Sequence, residues 1–111
     1  MELIETSVFT KQITALLTDE EYGHFQSQLA ANPQLDPLIK GGAGIRKIRV
    51  AVGPRGKSGG ARIIYYWAVR RDVILLLYAY PKNMAADLTP KQVFQLARVS
   101  KEEFGDEKAD V

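Results

Sequence analysis

The amino-acid sequence predicts an α+β fold: two N-terminal helices packed on a small, mainly antiparallel sheet of about four strands, with a C-terminal helix. Apolar residues recur at helical spacing through the N-terminal third, and the period becomes two around Ile48. A capping signature at Thr89 then opens a last helix.

Leu3 and Ile4 suggest a short first strand, after which Phe9, Ile13, Leu16 and Leu17 follow a helical period that ends near Leu17. Thr18-Asp19-Glu20-Glu21 has the form of a capping box, in which the Thr hydroxyl and the Glu carboxylate each satisfy an orphan N–H. The helix it opens carries Tyr22, Phe25 and Leu29 on one face, and Asn32-Pro33 stops it. A Pro- and Gly-rich loop leads through Gly41-Gly42-Ala43-Gly44 to a strand in which Ile48, Val50 and Val52 alternate with Lys47, Arg49 and Ala51. Lys47 and Arg49 therefore share its polar face.

Ala61 to Ala68 is rich in β-branched and aromatic residues, and Val73 to Tyr80 is apolar throughout, as in a covered strand. Val69-Arg70-Arg71-Asp72 is short enough for a hairpin connection, which makes these two strands antiparallel neighbours. Alternation sets Tyr66 with Arg62 and Ile64, and Tyr65 with Ile63 and Trp67; Tyr65 and Trp67 are the expected core pair. Thr89-Pro90-Lys91-Gln92 combines a capping Thr, Pro at the first helical position and Gln at the box position. Val93, Leu96, Ala97 and Phe104 supply that helix with an apolar side, and residues 105–111 are expected to fray.

With 111 residues and neither repeat nor linker, residues 1–111 are expected to form one domain. No segment approaches the roughly 20 apolar residues of a membrane span. The opening Met1-Glu2-Leu3-Ile4-Glu5 lacks the pattern of a signal peptide, so a cytoplasmic location without membrane contact is expected. Cysteine is absent and His24 is the single histidine, which excludes thiolate chemistry and histidine metal clusters; neither metal nor cofactor is expected.

The net charge of +2 conceals a segregated distribution. Residues 1–39 hold one Lys against six acids, residues 40–82 hold ten Lys/Arg against Asp72 alone, and residues 83–111 hold four Lys/Arg against six acids. A central block of +9 is the electrostatic footprint expected for a polyanion, because clustered cations displace counterions from phosphates.

Inside that block, "AVGPRGKSGGARIIYYW" fits a loosened phosphate-loop pattern through Ala51, Gly56, Lys57 and Ser58. A nucleotide-binding loop must open a helix, whereas Ser58 is followed by Gly59-Gly60 and a strand-forming run. The apolar strand ends in Pro81-Lys82 rather than in a magnesium-binding Asp. The stretch is better read as strand, basic hairpin loop and strand.

The element order, together with "DEEYGHFQSQLAANP", "GAGIRKIRV", "GKSGGARIIYYW" and "YAYPKN", resembles the RelE/ParE superfamily of toxins from toxin–antitoxin pairs. The likeness is to its HigB branch and covers about residues 3–100. It implies a RelE-like fold and a ribosome-dependent messenger-RNA endonuclease held in check by a cognate antitoxin. That antitoxin would be HigA-like, of the helix-turn-helix type, and DNA would be reached only indirectly through it. ParE-like members share the fold but inhibit DNA gyrase, and a noncatalytic RNA-binding protein is a third reading.

Cleaving RNA without metal requires removing a proton from the ribose 2′-OH, stabilising added negative charge on the phosphate, and protonating the 5′-oxygen. His24 falls in the acid-rich helical region and is read as structural or exposed, which leaves Lys, Arg and Tyr. The resemblance lays Lys47, Arg49, Lys57, Arg62, Tyr80 and Lys82 onto the basic groove of the family, and the basic block adds Arg46 and Arg55 as phosphate-binding residues. Arg62 suits transition-state charge stabilisation, since its forked guanidinium can hold two phosphate oxygens and keeps its proton. Lys57 either grips the backbone or acts as base. Tyr80 either relays a proton or stacks on an extruded base, and Lys82 either protonates the leaving oxygen or holds phosphate. Some relatives use a tyrosine near the last helix; here Phe94 and Phe104 stand in that region and carry no hydroxyl.

Overall fold

The computed structural model describes residues 1–34, 44–50, 60–82 and 88–104. The order of elements is β1 (Glu2–Glu5), α1 (Ser7–Leu16), α2 (Asp19–Ala31), β2 (Ile45–Val50), β3 (Ala61–Ala68), a 3₁₀ turn (Val69–Arg71), β4 (Val73–Pro81) and α3 (Pro90–Phe104). The expected strands at Ala61–Ala68 and from Val73 are present, and the capping boxes at Thr18 and Thr89 form as read from the sequence. Val52 and the segment 105–111 lie outside the described residues.

The four strands form one sheet in the order β1-β4-β3-β2. β2 pairs antiparallel with β3, and β3 with β4, across the turn that Asp72 closes in the left-handed conformation at φ 53°. β1 pairs parallel with β4, matching Leu3 to Ile74 and Ile4 to Leu75, so the mainly antiparallel sheet carries one parallel edge. A parallel return needs a crossover, and α1 and α2 supply it as the chain leaves β1.

Two apolar layers enclose the sheet. On one face Phe9 and Ile13 of α1 and Phe25 and Leu29 of α2 pack on Ile63, Tyr65, Ile74 and Leu76. On the other, Val93 and Leu96 of α3 pack with Ile45, Ile64, Tyr66, Leu75 and Leu77. The sheet is thus covered on both sides, which is why β3 and β4 read as nearly continuous apolar runs. Tyr66 is a core residue at 4% exposure while Trp67 is only half-buried, reversing the expected ranking of the pair. Alternation was right about the faces; the second apolar layer, supplied by α3, buries the face that carries Tyr66.

β4 contains one extra residue. Ile64 pairs with Tyr78 and Tyr65 with Leu76, so Leu77 has no partner on β3. Beyond the end of β1, α1 completes the hydrogen bonding of this segment: the Thr6 hydroxyl donates to the Leu77 carbonyl at 3.1 Å, and the Ala79 N–H donates to Gln12 Oε1 at 2.8 Å. Thr6 also caps α1 by accepting from the Phe9 N–H, so one side chain ties helix start and bulge together.

A second polar tie joins β1, α1 and α2. The Glu5 carboxylate accepts from the Tyr22 hydroxyl and from the Thr10 hydroxyl. Burial first, then the hydrogen bond to Glu5 and the charge on that carboxylate, push the Tyr22 phenol well above the usual tyrosine value. The folded chain holds this proton at pH values where the unfolded chain releases it. Its stabilisation is therefore complete below the ordinary tyrosine pKa of about 10 and declines as pH rises above that value. Urea unfolding followed against pH should show stability falling above about pH 10, with Tyr22→Phe making that fall shallower than in the parent chain. Equal slopes in parent and variant would show that Tyr22 contributes nothing to the alkaline loss.

Candidate functional site

The antiparallel registers bring charged and aromatic residues from three strands into one row. Arg49 of β2 pairs with Arg62 of β3, and Arg62 pairs with Tyr80 of β4. Directly opposed residues in antiparallel strands project to the same side, so all three stand on the α3 face of the sheet. The next row holds Lys47, Ile64 and Tyr78 by the same registers. The bulge at Leu77 makes this possible: in a regularly paired strand of the same sequence, Tyr80 would continue the alternation of Ile74 and Leu76 toward α1 and α2.

Exposure grades along the row. Arg49 is exposed on the open edge strand, Arg62 is half-buried, and Tyr80 is 7% exposed. The Tyr80 ring lies 6.0 Å from that of Tyr78 at an interplanar angle of 46°, so aromatic packing walls one end while the guanidinium groups occupy the wetter end. In this arrangement Tyr80 flanks Arg62 and does not present an open ring face. Lys82 is exposed one turn position beyond the strand, and its N–H donates to the Gly60 carbonyl at 2.7 Å. That bond extends the β3–β4 ladder past its last pair, Ala61 with Pro81, and anchors Lys82 beside the start of β3.

Gly60 makes the close approach there possible. A Cβ at this position would meet the Val50 carbonyl oxygen at 3.0 Å, with Arg62 Nη1 at 3.9 Å. In the sequence Gly59-Gly60 breaks the phosphate-loop pattern and leads into Arg62 within the stretch that resembles the family. The useful signal was a glycine immediately before a strand, which marks close backbone contact.

Arg46 is not brought to the row. It is 5% exposed, pairs with Tyr65 on the α1–α2 face, and its Nη1 donates to the Gln34 carbonyl at 3.2 Å. The period of two that groups Lys47 with Arg49 necessarily sends Arg46 with Ile48 and Val50 to the other side. Tyr65 donates to the Pro33 carbonyl at 2.9 Å, so this pair secures the chain leaving α2. Lys57 and Arg55 lie outside the described residues.

His24 is exposed on α2 and lines an open groove of about 960 Å³ with Asp19, Glu20, Gln28 and Arg49. Arg49 is the row residue that lines this groove; Arg62, Tyr80 and Lys82 do not. Cationic groups at the rim of a partly desolvated sheet face can bind a phosphodiester and stabilise charge developing on it.

A family model described as the RelE toxin of the RelE / RelB toxin–antitoxin system matches residues 28–111. The matched span includes β2, β3, β4 and α3, and with them every residue of the row.

Gly60→Ala should force β2 away from β3 at the end where Arg49 and Arg62 pair. We expect a stability loss of about 1–3 kcal/mol in urea unfolding, together with faster hydrogen exchange at the Lys82 amide. Unchanged stability and exchange would show that the close approach at Gly60 is not needed for the register.

Proposed function

We propose a function from one premise: the chain belongs to the RelE toxin family, and so is the toxin of a toxin–antitoxin pair with a cognate antitoxin as partner. The proposed activity is ribosome-dependent cleavage of messenger RNA, exercised in the cytoplasm, where translating ribosomes are found. The observation that carries this reading is the row Arg49, Arg62 and Tyr80, set by strand register on one sheet face.

In the proposed reaction the ribose 2′-oxygen attacks the adjacent phosphorus and loses its proton to a base. The bond from phosphorus to the 5′-oxygen breaks, and that oxygen takes up a proton. The products are a 2′,3′-cyclic phosphate and a free 5′-hydroxyl, and no water is consumed. Arg62 holds two non-bridging oxygens and offsets the charge that grows on them. Arg49 and Lys47 grip flanking phosphates on the same face.

Lys82, fixed beside Gly60, supplies the proton for the leaving oxygen, and Tyr80 orients Arg62 and relays protons at the row's inner end. Lys57 is assigned the neighbouring backbone or the base role, with Arg55 as a further phosphate contact. The antitoxin is proposed to be HigA-like, of the helix-turn-helix type. Its acidic or amphipathic segment either covers the basic face or keeps the domain off the ribosome by bulk. A gyrase-directed function makes no use of a phosphate-gripping row, which is why the nuclease reading is preferred to a ParE-like one.

Incubating the protein with message-programmed ribosomes in the presence of chelator should yield cleaved message with cyclic phosphate ends. Arg62→Ala should lower the cleavage rate by about 10²–10³-fold with an unchanged unfolding midpoint, the range for loss of one charge-stabilising donor. Intact message with the parent protein would overturn the proposal, and inhibition of supercoiling by gyrase in its place would support the ParE-like alternative.

A further inference from the structure

α3 presents a second surface that the row does not use. Its inward side is accounted for by Val93 and Leu96 in the core and by buried Ser100. On its outward side Lys91, Phe94, Arg98 and Lys101 follow one another at spacings of three and four, which places them along one stripe of the helix. All four are exposed, and Phe94 at 61% is the most exposed large apolar side chain among the described residues.

A single exposed apolar residue is ordinary, but this one has a cation one turn before it and another one turn after it. The Arg98 guanidinium lies 3.6 Å from Glu102, both side chains being largely exposed. Such a surface pair is weak and screened, so Arg98 can exchange its partner for a phosphate at little cost. Between Lys91 and Lys101 the helix rises about 15 Å. A stacked nucleic-acid strand passes roughly four phosphates over that length, at about 3.4 Å per nucleotide.

The stripe starts beside the row. Tyr78, in the row next to Tyr80, lines a small cavity of about 180 Å³ with Leu88, Gln92, Gln95 and Leu96 at the first turns of α3. Val93 belongs to the same buried cluster as Tyr80. Tyr78 thus links the face that carries Arg62 to the first turns of α3, where Lys91 begins the stripe.

We infer that the outward stripe of α3 is a second RNA contact, in which Phe94 stacks on an unpaired base while Lys91, Arg98 and Lys101 hold the neighbouring phosphates. Aromatic stacking between cations is the chemistry by which single strands are held without sequence reading. This inference rests on the RNA reading of the row, yet it concerns binding and not cleavage. Phe94 lacks the hydroxyl a proton relay would need and requires none for stacking.

The test uses the full chain and a short fluorescein-labelled single-stranded RNA, with anisotropy titrations at several salt concentrations. The triple variant Lys91→Gln, Arg98→Gln, Lys101→Gln should reduce the slope of log K against log salt by about 2, since each single-strand phosphate contact contributes about 0.7. Phe94→Leu keeps an apolar, helix-compatible side chain but removes the ring, and should weaken binding roughly tenfold without altering that slope. Circular dichroism should show both variants folded, because every altered residue is exposed.

Unchanged affinity and slope in both variants would overturn the inference. So would poly-L-glutamate binding as tightly as the RNA and with the same dependence on Phe94, which would assign the stripe to an acidic polypeptide. Because binding is read without ribosomes, loss of the cleavage reading would leave these titrations decisive for the stripe alone.

Discussion

One unpaired residue in β4 sets which side chains share a face. Leu77 interrupts the pairing with β3, and from Tyr78 onward the strand's alternation is shifted by one. Before the bulge, Val73 and Leu75 face α3; after it, Tyr78 and Tyr80 do, while Ala79 joins the layer under α1 and α2. The row of Arg49, Arg62 and Tyr80 depends on that shift.

A bulge leaves backbone groups that the ladder no longer serves, and buried unsatisfied groups cost about 1–3 kcal/mol each. Here α1 supplies partners for the neighbouring segment: Thr6 for the Leu77 carbonyl and Gln12 for the Ala79 N–H. The first helix is consequently part of the site's support, through the strand that carries Tyr80. Phe9 and Ile13 press it onto β4 through the larger apolar layer, and the Glu5–Tyr22–Thr10 bonds tie it to β1 and α2. Functional groups carried on strands packed from both sides hold their spacing better than groups on loops.

Much of the fold was legible because local signals agreed with tertiary ones. The capping boxes at Thr18 and Thr89, the aromatic and β-branched run from Ala61 and the short turn at Val69–Arg71 each have a local physical cause. The parallel pairing of β1 with β4 did not announce itself, since four residues carry no mark of their partner. The bulge was hidden for a different reason. Val73 to Tyr80 is apolar at nearly every position, so a slip in alternation leaves no trace in polarity. Tyr66 and Trp67 were ranked in the wrong order because the second apolar layer comes from α3, remote in sequence. Of the candidate cations, the period-two rule applied to Lys47 and Arg49 also places Arg46 on the opposite face; composition alone had grouped all three.

Electrostatics gives the row its use. The basic block is concentrated in the stretch that forms β2, β3 and their surroundings, and the register collects part of that charge at one end of one face. Phosphate binding there would follow from position more than from total charge, since the chain as a whole carries only +2. The most direct measurement is an amide NMR titration of the full chain with a short RNA carrying a 2′-deoxy nucleotide, which can bind but cannot react at that position. The amides of Arg49, Arg62, Tyr80 and Lys82 should shift together while those of α1 and α2 stay in place. Shifts concentrated on α2 around His24, with the row unmoved, would contradict the assignment of phosphate binding to the face that the bulge creates.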